Sequence, residues 1–203
     1  MNKSYETDIY PDTSFVQKIL LLGTAQSGKS TVLKQLKILH ERNFTFEERM
    51  HFKIDIKQNV CESIVQIIDV LQDKNVLSDE DEITQNISIV QHFCKNRLSE
   101  TSNNRRRLVS LEELLNEEAD NFAIEFFEAV HRIWHDTTVQ VGFAKFYSEL
   151  QVMDSAKYYL DKVMSIASSE YIPSNQDILR CRVITTGIYE LKFTYHDLQR
   201  LEK

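Results

Sequence analysis

The sequence predicts a mostly helical chain with a small α/β portion at its two ends, and three observations carry that prediction. Glycine and proline are scarce, 4 and 2 among 203 residues, whereas turn-dense all-β folds need many of both. Apolar residues recur at spacings of three and four from residue 44 to residue 163, the pattern of one helix after another. Two short runs, one near each end, are continuous or alternating in leucine, β-branched and aromatic residues, as strands are. Hydrophobic residues form 42% of the chain and charged residues 27%, an ordinary globular balance. The length suffices for a core without disulfides or metal.

Residues 1–14 are polar around Pro11 and read as a flexible lead-in. The run from Phe15 to Leu22 then meets Gly23, which suits a strand buried on both faces. Val32, Leu33, Leu36 and Leu39 follow at helical spacing through His40. Thr45-Phe46-Glu47-Glu48 fits a capping box, with Phe44 placed to staple the entry. Behind it, Val60, Ile64, Ile67, Ile68 and Leu71 form one face of a long helix. Ile83, Ile87, Val90 and Phe93 mark the next helix, and Ser110-Leu111-Glu112-Glu113 opens another box. Phe122, Phe126, Val130, Ile133 and Trp134 come next, then Val139, Phe143 and Tyr147, and last Ala156, Tyr159, Leu160 and Val163. No repeat period is visible, so the helices form a globular bundle and not a solenoid. Helical patterning ends at Pro173. Alternation from Ile188 to Phe193 then predicts a loop followed by a strand.

The formal net charge is −7, from 24 Lys plus Arg against 31 Asp plus Glu. An acidic chain disfavours nucleic acid as a partner. The basic run Arg105-Arg106-Arg107, in polar surroundings, reads as a solvated loop. Cys61, Cys94 and Cys181 form no Cys-x-x-Cys pair, which suits reduced thiols in a cytoplasmic protein. No apolar run approaches the roughly 18 residues of a membrane span. The start lacks the apolar stretch of a secretory signal, and Asn2 in place of glycine leaves no N-myristoylation motif.

Gly23-Thr24-Ala25-Gln26-Ser27-Gly28-Lys29-Ser30 matches the phosphate-loop pattern G-x-x-x-x-G-K-S. Glycines let the backbone turn so that successive amides point at phosphate oxygens. The following helix adds its N-terminal donors. In this pattern the lysine, Lys29, reaches the β- and γ-phosphates and the hydroxyl of Ser30 ligates magnesium. Two weaker constellations have plainer readings. His131 and His135 stand at i and i+4 but lack a third ligand, and read as surface histidines. Asp79, Glu80, Asp81 and Glu82 suit a helix N-terminus through its dipole.

Several segments together resemble a known family. The phosphate loop, the helix Lys29-Ser30-Thr31-Val32-Leu33-Lys34-Gln35-Leu36-Lys37-Ile38-Leu39-His40, a long helical insertion and Leu179-Arg180-Cys181-Arg182-Val183-Ile184-Thr185-Thr186-Gly187 resemble a heterotrimeric G protein α subunit. Ile133-Trp134-His135-Asp136, Asp154-Ser155-Ala156-Lys157-Tyr158-Tyr159-Leu160 and Tyr171 to Leu179 resemble further landmarks, so that the likeness covers residues 17–195. It implies a Ras-like α/β phosphate-loop core, incomplete here, formed by residues 15–43 and 173–203, with an all-helical insertion domain at 44–172. It implies GTP and GDP as ligands with Mg2+, bound by Gly23, Gln26, Ser27, Gly28, Lys29, Ser30, Thr31, Asp154, Ser155, Leu179, Arg180, Cys181, Arg182 and Thr185. Arg182 would be the catalytic arginine and Ser30 and Thr185 the metal ligands. It also implies a βγ dimer and a G protein-coupled receptor as partners, on the cytoplasmic face of the plasma membrane.

The departures from the family are specific. Ala25 stands where the family has glycine and Gln26 where it has an acid, which predicts slow hydrolysis and a less ordered Arg182. No glycine has Asp three positions before it, since Leu20, Ala25, Val139 and Ile184 stand there, so the D-x-x-G of the second switch is absent. Asn2-Lys3 continues as Ser4-Tyr5, so the guanine-reading N-K-x-D is absent as well. The expectation is a truncated α subunit. The alternative is a helical-domain fragment that acts as an interaction module without enzymatic activity.

Overall fold

A computed structural model describes residues 19–24, 27–40, 43–77, 81–101, 117–150 and 152–183. Helices dominate: α1 (Lys29–His40), α2 (Phe46–Asp73), α3 (Asp81–Thr101), α4 (Glu117–His135), α5 (Thr137–Lys145), α6 (Ala156–Leu160), α7 (Val163–Ala167) and α8 (Asn175–Arg180).

The longest of them, α2, starts as the sequence predicts. Thr45 Oγ1 accepts from the Glu48 N–H at 3.2 Å, and Glu48 Oε2 accepts from the Thr45 N–H at 2.9 Å. Phe44 is buried and meets Phe52 edge to face, with centroids 5.4 Å apart, so the staple reaches two turns into the helix. Along α2, Ile56, Val60, Ile64, Ile67, Ile68 and Leu71 are buried, each worth about 1.5–3 kcal/mol of transfer free energy. This stripe faces α3, α5, α6, α7 and α8 in turn, making α2 the axis of the bundle.

Around that axis, α3 lies along α4, with Phe93 stacked on Phe126 at 4.3 Å. Trp134 is buried at the end of α4, donates from Nε1 to Asp161 Oδ1 at 2.9 Å and meets Phe143 of α5 edge to face. Asp136 ends one helix and caps the next: its Oδ1 accepts from the N–H groups of Thr138 and Val139 at 2.8 and 3.1 Å. The apolar series Ala156, Tyr159, Leu160 and Val163 is buried, split between two short helices, α6 and α7, joined by a turn at residues 161–162.

Two expectations fail. Residues 19–22 form no strand, and Ile19, Leu20 and Leu22 are 77%, 76% and 81% exposed. A strand is completed by backbone partners, and no strand occurs among the described residues to supply them. Likewise, α1 does not bury its leucine face. Val32 and Leu39 are exposed while Lys34 is buried, because α1 packs on α8 through the lysine side. Residues 15–18, the strand expected at 187–194, the Ser110 box, the run Arg105 to Arg107, and Asp79 with Glu80 lie outside the described residues. Asp81 and Glu82 do open α3.

The sequence reading also overlooks a helix. Ser174-Asn175-Gln176-Asp177 is a capping box: Ser174 Oγ accepts from the Asp177 N–H at 3.2 Å, and Asp177 Oδ2 accepts from the Ser174 N–H at 2.8 Å. Six residues are too few for a helix to hold on its own, so α8 depends on tertiary bonds. Asp177 supplies several. Its side chain is 1% exposed and takes Lys162 Nζ at 2.6 Å and the Tyr158 hydroxyl at 2.7 Å.

Loss of the α2 cap through Thr45→Ala should cost about 1 kcal/mol, read as a lower urea midpoint with an unchanged m-value. The second prediction concerns Asp177. Burial alone would raise its pKa, but the hydrogen bonds from Lys162, Tyr158 and Ser174 outweigh it and hold the carboxyl at about 2, below an ordinary 3.8. A depressed carboxyl contributes stability that is full above its unfolded pKa and is lost as pH falls through the folded one. About 2 kcal/mol should therefore disappear between pH 4 and pH 2. Urea unfolding of Asp177→Asn should show a flatter pH dependence than the parent in that window; parallel curves would refute the assignment.

Candidate functional site

The loop before α1 has the geometry that the glycines allow. Gly28 sits at φ +86°, a left-handed conformation that side chains rarely adopt, and its carbonyl accepts the first α1 bond from the Val32 N–H at 3.0 Å. At Gly23 a β-carbon would come within 3.2 Å of Ser27 Cβ and closer still to its hydroxyl, so the loop closes only over a bare backbone. Lys29, the first residue of α1, turns back over the loop. Its ammonium donates to the carbonyls of Gly23 at 2.7 Å and Thr24 at 2.5 Å, and to Ser27 Oγ at 3.2 Å. Ser30 and Thr31 follow in the first turn. Gln26 and Thr185 lie outside the described residues.

One and a half turns along α1, Lys34 is 8% exposed. Its ammonium donates to the carbonyls of Ile178 at 2.9 Å and Cys181 at 2.7 Å at the end of α8, where the Ile178 carbonyl also accepts from the Cys181 N–H at 3.2 Å. The ring of Phe52 lies 5.1 Å away. Burial lowers the pKa of Lys34, while the nearby Asp55 opposes that shift. Lys37 pairs with Glu48 at the start of α2. The helix that begins at the phosphate loop is thereby tied to α8 and α2.

The segment from Tyr171 to Val183 is held from every side. Arg49 of α2 donates to the Pro173 carbonyl at 2.6 Å and to Asn175 Oδ1 at 2.7 Å. Tyr159 of α6 donates to the Asp177 carbonyl at 2.9 Å, and the guanidinium of Arg180 stacks on the Tyr158 ring, 4.6 Å from its centre. Asn59 of α2, 3% exposed, pairs with both backbone groups of Arg182: its Oδ1 accepts the N–H at 2.8 Å and its Nδ2 donates to the carbonyl at 3.0 Å.

Of the residues expected at the site, Asp154, Arg180 and Arg182 are exposed, and Leu179 is half-buried. Ser155 and Cys181 face inward. Ser155 is 7% exposed and gives its hydroxyl proton to the Arg180 carbonyl at 3.0 Å. Cys181 is 5% exposed, burial pushes its thiol up to about 12, and its carbonyl belongs to Lys34. Both hold the backbone of this segment. Lys34, Arg49 and Asn59 were not singled out in the sequence. The available signal was polar residues at core positions of helices, since buried polar groups need named partners.

His131 and His135 stack with ring centres 4.1 Å apart, and no group of three potential metal ligands occurs among the described residues. No disulfide joins any of the three cysteines. No described helix is long and apolar enough to cross a membrane.

Comparison with known proteins agrees with the reading from residues. The family model of the G-protein alpha subunit matches residues 1–201. The chain is 35% identical over 196 residues to the guanine nucleotide-binding protein G(s) subunit alpha of Lymnaea stagnalis, covering 95% of this chain and 47% of that protein. It is 34% identical over 181 residues to the G(o) subunit alpha of Locusta migratoria, covering 89% and 46%. Against the G(s) subunit alpha of Geodia cydonium it is 35% identical over 180 residues, covering 88% and 42%. The chain thus spans about half the length of these curated relatives, and it resembles the G(s) and G(o) types equally. With the family model matched across nearly all of its residues, the chain belongs to the family of G-protein α subunits.

Proposed function

We infer that this chain binds GTP and GDP through residues 23–31 and serves as the nucleotide-holding part of a signalling α subunit that hydrolyses GTP slowly. The observation that supports this best is the left-handed turn at Gly28 leading into α1, with Lys29 folded back over the loop. Phosphates entering the loop would face amides at the start of α1, where the helix dipole favours negative charge. Lys29 would exchange its bonds to the Gly23 and Thr24 carbonyls for phosphate oxygens, a charge-assisted and stronger pairing. The hydroxyls of Ser30 and Thr185 are hard oxygen donors, the type that magnesium takes, and the ion would neutralise phosphate charge when bound. Arg182 would stabilise charge developing on the transferring phosphoryl group, with Asp154, Leu179 and Arg180 beside the nucleotide. A βγ dimer, a receptor and the cytoplasmic membrane face are the family's surroundings, and we extend them to this chain on that ground.

A second reading has its own observation. The core around α2 is built from residues 56–171 with Cys181 added beside them, while Ile19, Leu20 and Leu22 are exposed. A helical interaction module without nucleotide chemistry fits that arrangement.

Thermal melts separate the two readings. A ligand at one hundred times its Kd stabilises by about 2.7 kcal/mol, which should raise Tm by about 5–10 °C in a chain of this size. GDP or a non-hydrolysable GTP analogue with magnesium should give that shift, and Lys29→Ala should abolish it. No shift with any nucleotide would favour the interaction module. A further prediction concerns the methyl at position 25. Ala25→Gly should raise single-turnover GTP hydrolysis about tenfold, a barrier change of ~1.4 kcal/mol. Equal rates would refute the link between the methyl at position 25 and slow hydrolysis.

A further inference from the structure

Three consecutive carbonyls leave the end of α8, and each is taken by a side chain from a different part of the chain. Ser155 takes that of Arg180, Lys34 that of Cys181, and Asn59 that of Arg182, at 3.0, 2.7 and 3.0 Å. Asn59 does more than the other two. A primary amide carries a donor and an acceptor side by side, and here they engage the C=O and N–H of one residue, as a neighbouring strand would. The Asn59 side chain lies within the buried stripe of α2, between Ile56 and Val60. Its own main-chain carbonyl receives Ser63 Oγ at 2.7 Å. Packing alone would be served there by leucine, and a buried amide is tolerated only with its partners in place.

We propose that Asn59 is the positioning residue of Arg182. It fixes the backbone from which the guanidinium extends and leaves that side chain exposed, so that the arginine reaches phosphate from a rigid root. Ordering that would otherwise accompany each reaction cycle is completed on folding. The proposal rests on the preceding assignment of Arg182 to the phosphate, whereas the clamp itself is independent of it.

The test uses the full chain, with Asn59→Leu and Asn59→Ser as two variants, so that a folding defect in one does not decide the result. Thr45→Ala serves as a control that destabilises the same helix far from Arg182. Amide hydrogen exchange at Arg182 should quicken at least tenfold in both Asn59 variants and stay unchanged in the control. Single-turnover GTP hydrolysis should fall about tenfold while the GTP-induced melting shift keeps its size. That fall should vanish when the Asn59 change is made in an Arg182→Ala background, because the two substitutions then remove one effect. Unchanged exchange would overturn the clamp. Faster exchange with undiminished hydrolysis would overturn the positioning role and leave the nucleotide reading intact. A parent chain that shows no nucleotide response, or binds without hydrolysing, would remove the target of Arg182 and the proposal with it.

Discussion

The satisfaction of the polar backbone at residues 173–182 is the constraint on which the rest of the architecture turns. A six-residue helix cannot persist alone, and its unpaired carbonyls would be costly beside an apolar bundle. The fold answers with side chains drawn from α1, from two positions along α2, and from α6 with its flanking turns. The bonds from α1 and α2 join stretches more than one hundred residues apart in sequence. They make the helical bundle and the phosphate-loop helix parts of one body.

That constraint explains which features were legible in the sequence. The capping box at Thr45 and the apolar stripe of α2 depend on local chemistry and helical period, and both appear where the pattern places them. The backbone at Gly23 and Gly28 was equally readable, since these glycines answer a local demand for close approach and left-handed conformation. Lys34 and Asn59 were legible only as polar residues within helices, and their partners were not. Each is a polar residue whose partner lies 120 to 150 positions away, and nothing in a 3.6-residue period announces a distant carbonyl. Ser174 was readable and overlooked: its box with Asp177 has the same form as the one at Thr45, but a preceding proline and so short a helix hid it behind the expected loop.

The strand expected before Gly23 failed for another reason. Ile19 to Leu22 have strand composition, but strand is a property of pairs, and composition cannot create the neighbour. The same limit applies to the leucines of α1. Val32 and Leu39 mark an apolar face, yet a face becomes buried only when something covers it, and α8 covers the other side. Composition described what these residues could do, and tertiary contacts decided what they did.

The Lys34 strap has a consequence for how the molecule opens. With α1 resting on α8 and its ammonium lodged between two carbonyls at the end of that helix, neither helix can fray without exposing a desolvated cation or orphaned acceptors. The two therefore share a single sub-global opening event and behave as one foldon. The turn at Gly28 and the backbone that leaves the end of α8 are, in that sense, thermodynamically the same place.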